Sequence, residues 1–195
     1  MNRTLRTSAL VGAVLTIVVG LGACAPDQSA ADPTPTVAPV QAEVPATPVA
    51  KPGKPTRVEI PVIAVDVQLH GVGLNPDGSM EMPAFGDAAW YDPGPRPGGA
   101  GPAVLVAHVR GPGGADVFAR LHELQPGDEV TVHRTDGAST FVVDGSEQVP
   151  KEDLPLDRIW IETEASALRL ITCGGEYDPK IGGFPDNTIV YAHLA

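Results

Sequence analysis

From residue 57 to the C-terminus the apolar residues come in short runs, and glycine or proline closes off nearly every one. Punctuation of this kind leaves little room for helices. Proline lacks a backbone donor and clashes with the preceding turn, and glycine costs a helix interior about 1 kcal/mol relative to alanine. Val58–Ile60 and Val62–Leu69 are β-branched and flank Pro61, and Asp77-Gly78 marks a turn ahead of Met80–Met82. Ala103–Val109 is one continuous apolar run, the pattern of a buried strand. Val130–His133 and Thr140–Val143 flank Asp136-Gly137, a hairpin signal. Arg158–Ile161, Ala167–Thr172 and Thr188–His193 complete the strands. Only Asp116–Leu124 reads as a helix, with Val117, Leu121 and Leu124 on one face and Phe118 beside them. Many short strands separated by Gly/Pro turns predict an all-β sandwich or barrel.

Three segments precede or make up this pattern. Residues 1–24 have the layout of a secretory signal: basic Arg3 and Arg6, an uncharged apolar stretch Ala9–Leu21, then Leu21-Gly22-Ala23-Cys24. The last four residues resemble a bacterial lipobox, which implies cleavage before Cys24 and a lipid on its sulfur. The alternative is an uncleaved anchor, since Ser8–Ala25 has about the minimum length for a membrane span. Residues 25–56 carry eight prolines and no aromatics. Such a composition cannot bury a core and favours extended polyproline conformations, reaching on the order of 100 Å at about 3.1 Å per residue. Residues 57–195 form the one segment able to build a domain core. Nine lysines and arginines face 21 aspartates and glutamates there, a net charge of −12. That balance opposes nucleic acid and anionic lipid as ligands, both of which demand basic patches.

Beyond Cys24 the chain holds a single cysteine, Cys173, in Leu170-Ile171-Thr172-Cys173-Gly174-Gly175. The strand reading ends there and the two glycines turn the chain, so the thiol sits at a strand end open to a ligand. Exported cysteines usually pair as disulfides, and a lone thiol outside the membrane is either incidental or a nucleophile. Thiol catalysis requires a thiolate, and a neighbouring histidine can take the proton and later protonate a leaving amine. Of the five histidines, His122 falls on the helix reading, His133 in a hairpin strand, His70 in a turn and His193 near the C-terminus. His108 differs, because it ends the most apolar strand and precedes the loop Arg110-Gly111-Pro112-Gly113-Gly114. Two reactive groups at the ends of two core strands can meet at one rim of a barrel. Neither has companions at metal-ligand spacing, so no metal and no cofactor are expected.

Ala107-His108-Val109, Phe118-Ala119-Arg120-Leu121, Pro126-Gly127-Asp128 and Leu170–Gly175 together resemble the sortases. The glycines after the cysteine, with Asp186-Asn187 beyond them, resemble the actinobacterial class F members. Ile60-Pro61, Asp77-Gly78, Trp90-Tyr91, Pro97-Gly98 and Val190-Tyr191-Ala192 extend the likeness over nearly all of residues 57–195. The resemblance implies an all-β closed barrel of about eight strands with one or two short helices. It implies a membrane-tethered cysteine transpeptidase on the extracytoplasmic face, a monomer with no nucleic-acid partner. Such an enzyme cleaves LPxTG-type sorting signals of surface proteins, holds the acyl group as a thioester, and passes it to an amine of peptidoglycan or its precursor. Carried across, Cys173 is the nucleophile and His108 the general acid/base.

One family residue is missing. Class F sortases carry an arginine twelve residues after the cysteine, just before Asp-Asn, and that position is Pro185 here. No arginine follows Cys173, and Ala107 stands where the family usually has glycine. Proline supplies neither charge nor an N–H donor. Arg110, Lys180 and Arg169 are the cations that could substitute. If none does, the chain is a sortase fold kept as a binding module or surface lipoprotein.

Overall fold

The β-branched runs become ten strands. In this computed structural model residues 52–195 are described. The expected signal and lipobox, residues 1–24, and all but the end of the proline-rich stretch lie outside them. The strands are β1 (Pro55–Ile60), β2 (Val65–Val72), β3 (Ala88–Tyr91), β4 (Gly101–Ala107), β5 (Arg110–Gly111), β6 (Gly114–Ala115), β7 (Glu129–Arg134), β8 (Gly137–Pro150), β9 (Ser166–Gly174) and β10 (Asp186–Leu194). Eight of them close into a barrel in the order β1-β2-β3-β4-β9-β10-β8-β7, and β5 and β6 form a separate ribbon. The pairings β2–β3 and β4–β9 are parallel and the others antiparallel. Closure removes every exposed edge.

Alternation explains which side chains fill the barrel. Ala103, Leu105 and Ala107 of β4 point inward with Leu168 and Leu170 of β9, joined by Val58, Ile60, Val130, Val132 and Phe141. The opposite faces of β4, β9 and β10 are also covered: Val104, Val106 and Ile189 are buried against Ile159, Met80, Leu154 and Tyr91. A strand buried on both sides has no polar face, hence the unbroken apolar run of β4.

Several sequence expectations change: His70 lies within β2 and not in a turn, and Val62 and Ile63 belong to a 3-10 turn (Pro61–Ile63) ahead of that strand. Asp116–Leu124 is a series of turns ending in one 3-10 turn, Leu121–Glu123, and not an amphipathic helix. The apolar residues are nonetheless buried, because Phe118, Leu121 and Leu124 plug the mouth of the barrel. Arg158–Ile161 is not a strand. Leu156–Ile159 makes a single helical turn, α1, directly after Pro155, where the fixed proline φ favours helix entry. Met80–Met82 contributes only an isolated bridge from Met80 to Leu74. β1 starts at Pro55, two residues ahead of Arg57, and residues before it are pinned to the β7–β8 turn. The Gly53 N–H donates to Asp136 (2.7 Å), the Lys54 N–H to Thr135 Oγ1 (3.1 Å) and the Thr135 N–H to the Lys54 carbonyl (3.0 Å). The β7–β8 turn and the Cys173 end of β9 lie at opposite poles of the barrel.

Candidate active site

β4 and β9 run side by side in parallel, with Val106 opposite Ile171. His108 is the first residue after the end of β4, two beyond Val106, and Cys173 lies two beyond Ile171 on β9. Cys173 falls on the outer face of the barrel, in phase with Ile171. A buried hydrogen bond ties the strands together there: Thr172 Oγ1 donates to the Ala107 carbonyl at 2.8 Å. Cys173 is half-buried and unpaired. Across its other edge lies Asn187, its direct partner on β10.

The imidazole of His108 is held from the β2–β3 loop. Its Nε2 lies 3.0 Å from the Pro83 carbonyl. A carbonyl only accepts, so Nε2 carries the proton in this contact. The Phe85 ring covers the imidazole, with centroids 4.5 Å apart at 41°. Phe85 is itself 56 % exposed, so it is placed by its neighbours and not by the core. Asp116 fixes that loop: Oδ1 accepts the Gly86 N–H (3.0 Å) and the Val117 N–H (2.8 Å). Asp116 Oδ2 is buried without a hydrogen-bond partner among the described residues. It packs beside Gly111, where a Cβ would come within 2.8 Å of it and 3.1 Å of the Phe85 ring.

Two cavities lie near the Cys173 end of β9, one lined by Ile171 and the other by Cys173 itself. The larger, about 680 Å³, runs over the outer face with Val106 and Ile171 as floor and Leu74, Met82, Leu156 and Trp160 in its walls. Several of these apolar side chains are exposed, Leu156 at 57 % and Leu74 at 51 %, as in a ligand groove awaiting its occupant. The second, about 450 Å³, opens at the barrel mouth and is polar, with His122, Gln148, Cys173, Glu176 and Thr188 in its lining.

The other sequence candidates separate. Arg110 is exposed and makes no ion pair or side-chain hydrogen bond among the described residues. It lines a pocket with Tyr177 from the β9–β10 loop. Lys180 is exposed on that loop, which is closed by backbone hydrogen bonds between Asp178 and Gly183. Arg169 is 7 % exposed and already engaged: it donates to the Arg158 carbonyl (3.2 Å) and the Leu168 carbonyl (2.9 Å) and lies 4.8 Å from the Tyr191 ring centroid. Burial pulls its pKa below the usual guanidinium value. Beside it, burial and then the hydrogen bond to Glu147 (2.6 Å) push the Tyr191 hydroxyl up to about 12. Pro185 precedes β10, and its carbonyl accepts the Lys151 N–H at 3.1 Å. Pro83, Phe85 and Glu176 escaped the sequence reading, whereas Asn187 entered it only as part of Asp186-Asn187. Only Phe85, an aromatic isolated in a Gly/Pro-rich loop, offered a signal.

A sortase domain matches residues 58–195. The chain belongs to the sortase family. The sortase domain marks it as a cysteine transpeptidase of sorting signals. Among solved structures, sortase C1 of Streptococcus suis is similar at a TM-score of 0.56 and 19 % identity, over 73 % of each chain. Sortase C-1 of Streptococcus pneumoniae gives a TM-score of 0.55 at 24 % identity, over 72 % of this chain and 66 % of that one. At these identities the likeness establishes the shared barrel. No curated protein matches the chain.

Proposed function

We propose that this sortase is a class F-like transpeptidase tethered to the outer face of the cell membrane through Cys24 lipid or an N-terminal anchor. Its substrates are LPxTG-type sorting signals of surface proteins and a cell-wall amine. The observation that supports this reading is the parallel pairing of β4 and β9 up to Val106 and Ile171 in the apolar groove, with His108 and Cys173 each two residues further along. The apolar part of the sorting signal lies over Val106 and Ile171, which delivers the scissile carbonyl to the sulfur two residues further on. The Cys173 thiolate attacks that carbonyl. The C–S bond forms as the C–N bond breaks, and imidazolium His108 gives its proton to the departing amine. The Pro83 carbonyl and the Phe85 ring keep the imidazole oriented, as the third member of other nucleophilic constellations does.

Arg110 is the cation we place in the role of the absent arginine. It stands two residues beyond His108 and has no competing partner among the described residues. Pro185 alone favours a second reading, a sortase fold without turnover. Incubating the full chain with LPxTG-type peptides and weighing it decides between them. The first reading gives an acyl adduct on Cys173 that is absent in Cys173→Ala and strongly reduced in His108→Ala. No adduct in the wild type, and none after Pro185→Arg, establishes the second.

A further inference from the structure

A transpeptidase handles two ligands, and the groove over Val106 and Ile171 accounts for only one. Cys173 sits between two cavities of opposite character. Ile171, two residues before it on the same face, floors the apolar groove, whereas Cys173 itself lines the polar cavity at the barrel mouth. That cavity, about 450 Å³, has room for a short polar chain. Its lining offers one carboxylate, Glu176, which has neither ion pair nor side-chain hydrogen bond among the described residues. His122 is likewise without a partner, and Gln148 is held in place by Asp186 at 2.7 Å. No lysine or arginine lines the cavity. Glu176 is exposed at the rim of this cavity, and a carboxylate with no cation beside it, three residues from the nucleophile, suits a cationic ligand.

Building on the transpeptidase reading, we infer that the barrel-mouth cavity is the acceptor site, and that Glu176 draws in a primary ammonium carried on a polar, peptide-like chain. The ammonium docks near Glu176 and releases one proton to water. The free amine then attacks the thioester carbonyl from the side opposite the apolar groove. The C–N bond forms and the C–S bond breaks, with the electron pair returning to sulfur. The second amine proton passes to neutral His108, which restores the thiolate–imidazolium pair. The acyl chain and the incoming amine therefore use different cavities, and the acyl chain stays in its groove throughout.

The test uses the full chain, an LPxTG-type peptide and triglycine as the amine probe, with N-acetyl-triglycine as the non-amine control. Product partition between hydrolysis and aminolysis is followed against triglycine concentration, and acylation without amine is measured in parallel. Glu176→Gln is expected to raise the half-saturating triglycine concentration about 3- to 10-fold, the range of an exposed to half-exposed charge contact. Glu176→Lys is expected to raise it further and to make aminolysis less sensitive to salt. Thioester formation with an unchanged half-saturating concentration in both variants overturns the acceptor site and leaves the transpeptidase standing. Absence of any thioester in the wild type removes the transpeptidase reading and this inference with it.

Discussion

Phe85 offers a direct way to separate positioning from folding. Its ring lies 4.5 Å from the His108 imidazole, yet it is 56 % exposed and takes no part in the barrel core. Aromatic pairs of this kind contribute about 0.5–1.5 kcal/mol. If that energy holds the imidazole in its reactive orientation, Phe85→Ala slows acylation of Cys173 by about 2- to 13-fold, at 1.36 kcal/mol per tenfold. The stability cost is limited to about 1 kcal/mol, since less than half of the side chain leaves contact with protein. Phe85→Leu keeps the apolar contact without the ring face and falls between the two. The assay is single-turnover thioester formation by mass spectrometry, with thermal denaturation of each variant alongside. Unchanged acylation in Phe85→Ala refutes the positioning role. A slowed rate fully matched by the unfolded fraction at the assay temperature refutes it equally.

Three further outcomes follow from other parts of the molecule. Pro185→Arg places a guanidinium two residues from Asn187, the direct cross-strand partner of Cys173. It raises kcat/KM for the sorting peptide, by less than the roughly 10²–10³-fold attached to a preorganised oxyanion donor, because the surrounding loop is not shaped for it. Gly174→Ala puts a Cβ 2.7 Å from Thr188 Oγ1 and 3.1 Å from the Asn187 backbone, so denaturation reports a loss of about 1–3 kcal/mol; Gly113→Ala, with nothing within 4 Å, stays close to wild type. Ultraviolet titration shows one tyrosine ionising at about 12, Tyr191, and Glu147→Gln lowers that value without abolishing the shift, since burial is its larger cause. The sign follows: between an unfolded value of about 10 and 12 the unfolded chain loses the proton first, so this contribution is intact below pH 10 and declines above it.

Where the sequence alone sufficed, periodicity and packing agreed. The apolar run of β4 is unbroken because both its faces are covered, and the Asp136-Gly137 hairpin forms where its turn chemistry places it. The misreadings share a cause. Phe118, Leu121 and Leu124 have the spacing of a helix face, but what they satisfy is the mouth of a closed barrel, and turns do that as well as a helix. Arg158–Ile161 resembles a strand only until Pro155 is weighed as a helix start. His108 and Cys173 stood out as candidates because strand ends are local features of a sequence. The Pro83 carbonyl and Glu176 were not, because their role depends on which loops the closed barrel brings to one pole.

The pinning of Gly53 to Asp136 has a mechanical consequence. If the chain is tethered ahead of β1 and acylated on Cys173 as proposed, a pull on the captured polypeptide loads the barrel between that sulfur and the start of β1, at opposite poles. Tension then acts along the strands. The hydrogen bonds between β9, β10, β8, β7 and β1 are strained together in shear and are not opened one by one from an edge. Forced opening is governed by the unfolding rate. A barrel gripped in this way holds its captured substrate under drag for longer than one whose tether and nucleophile share a pole.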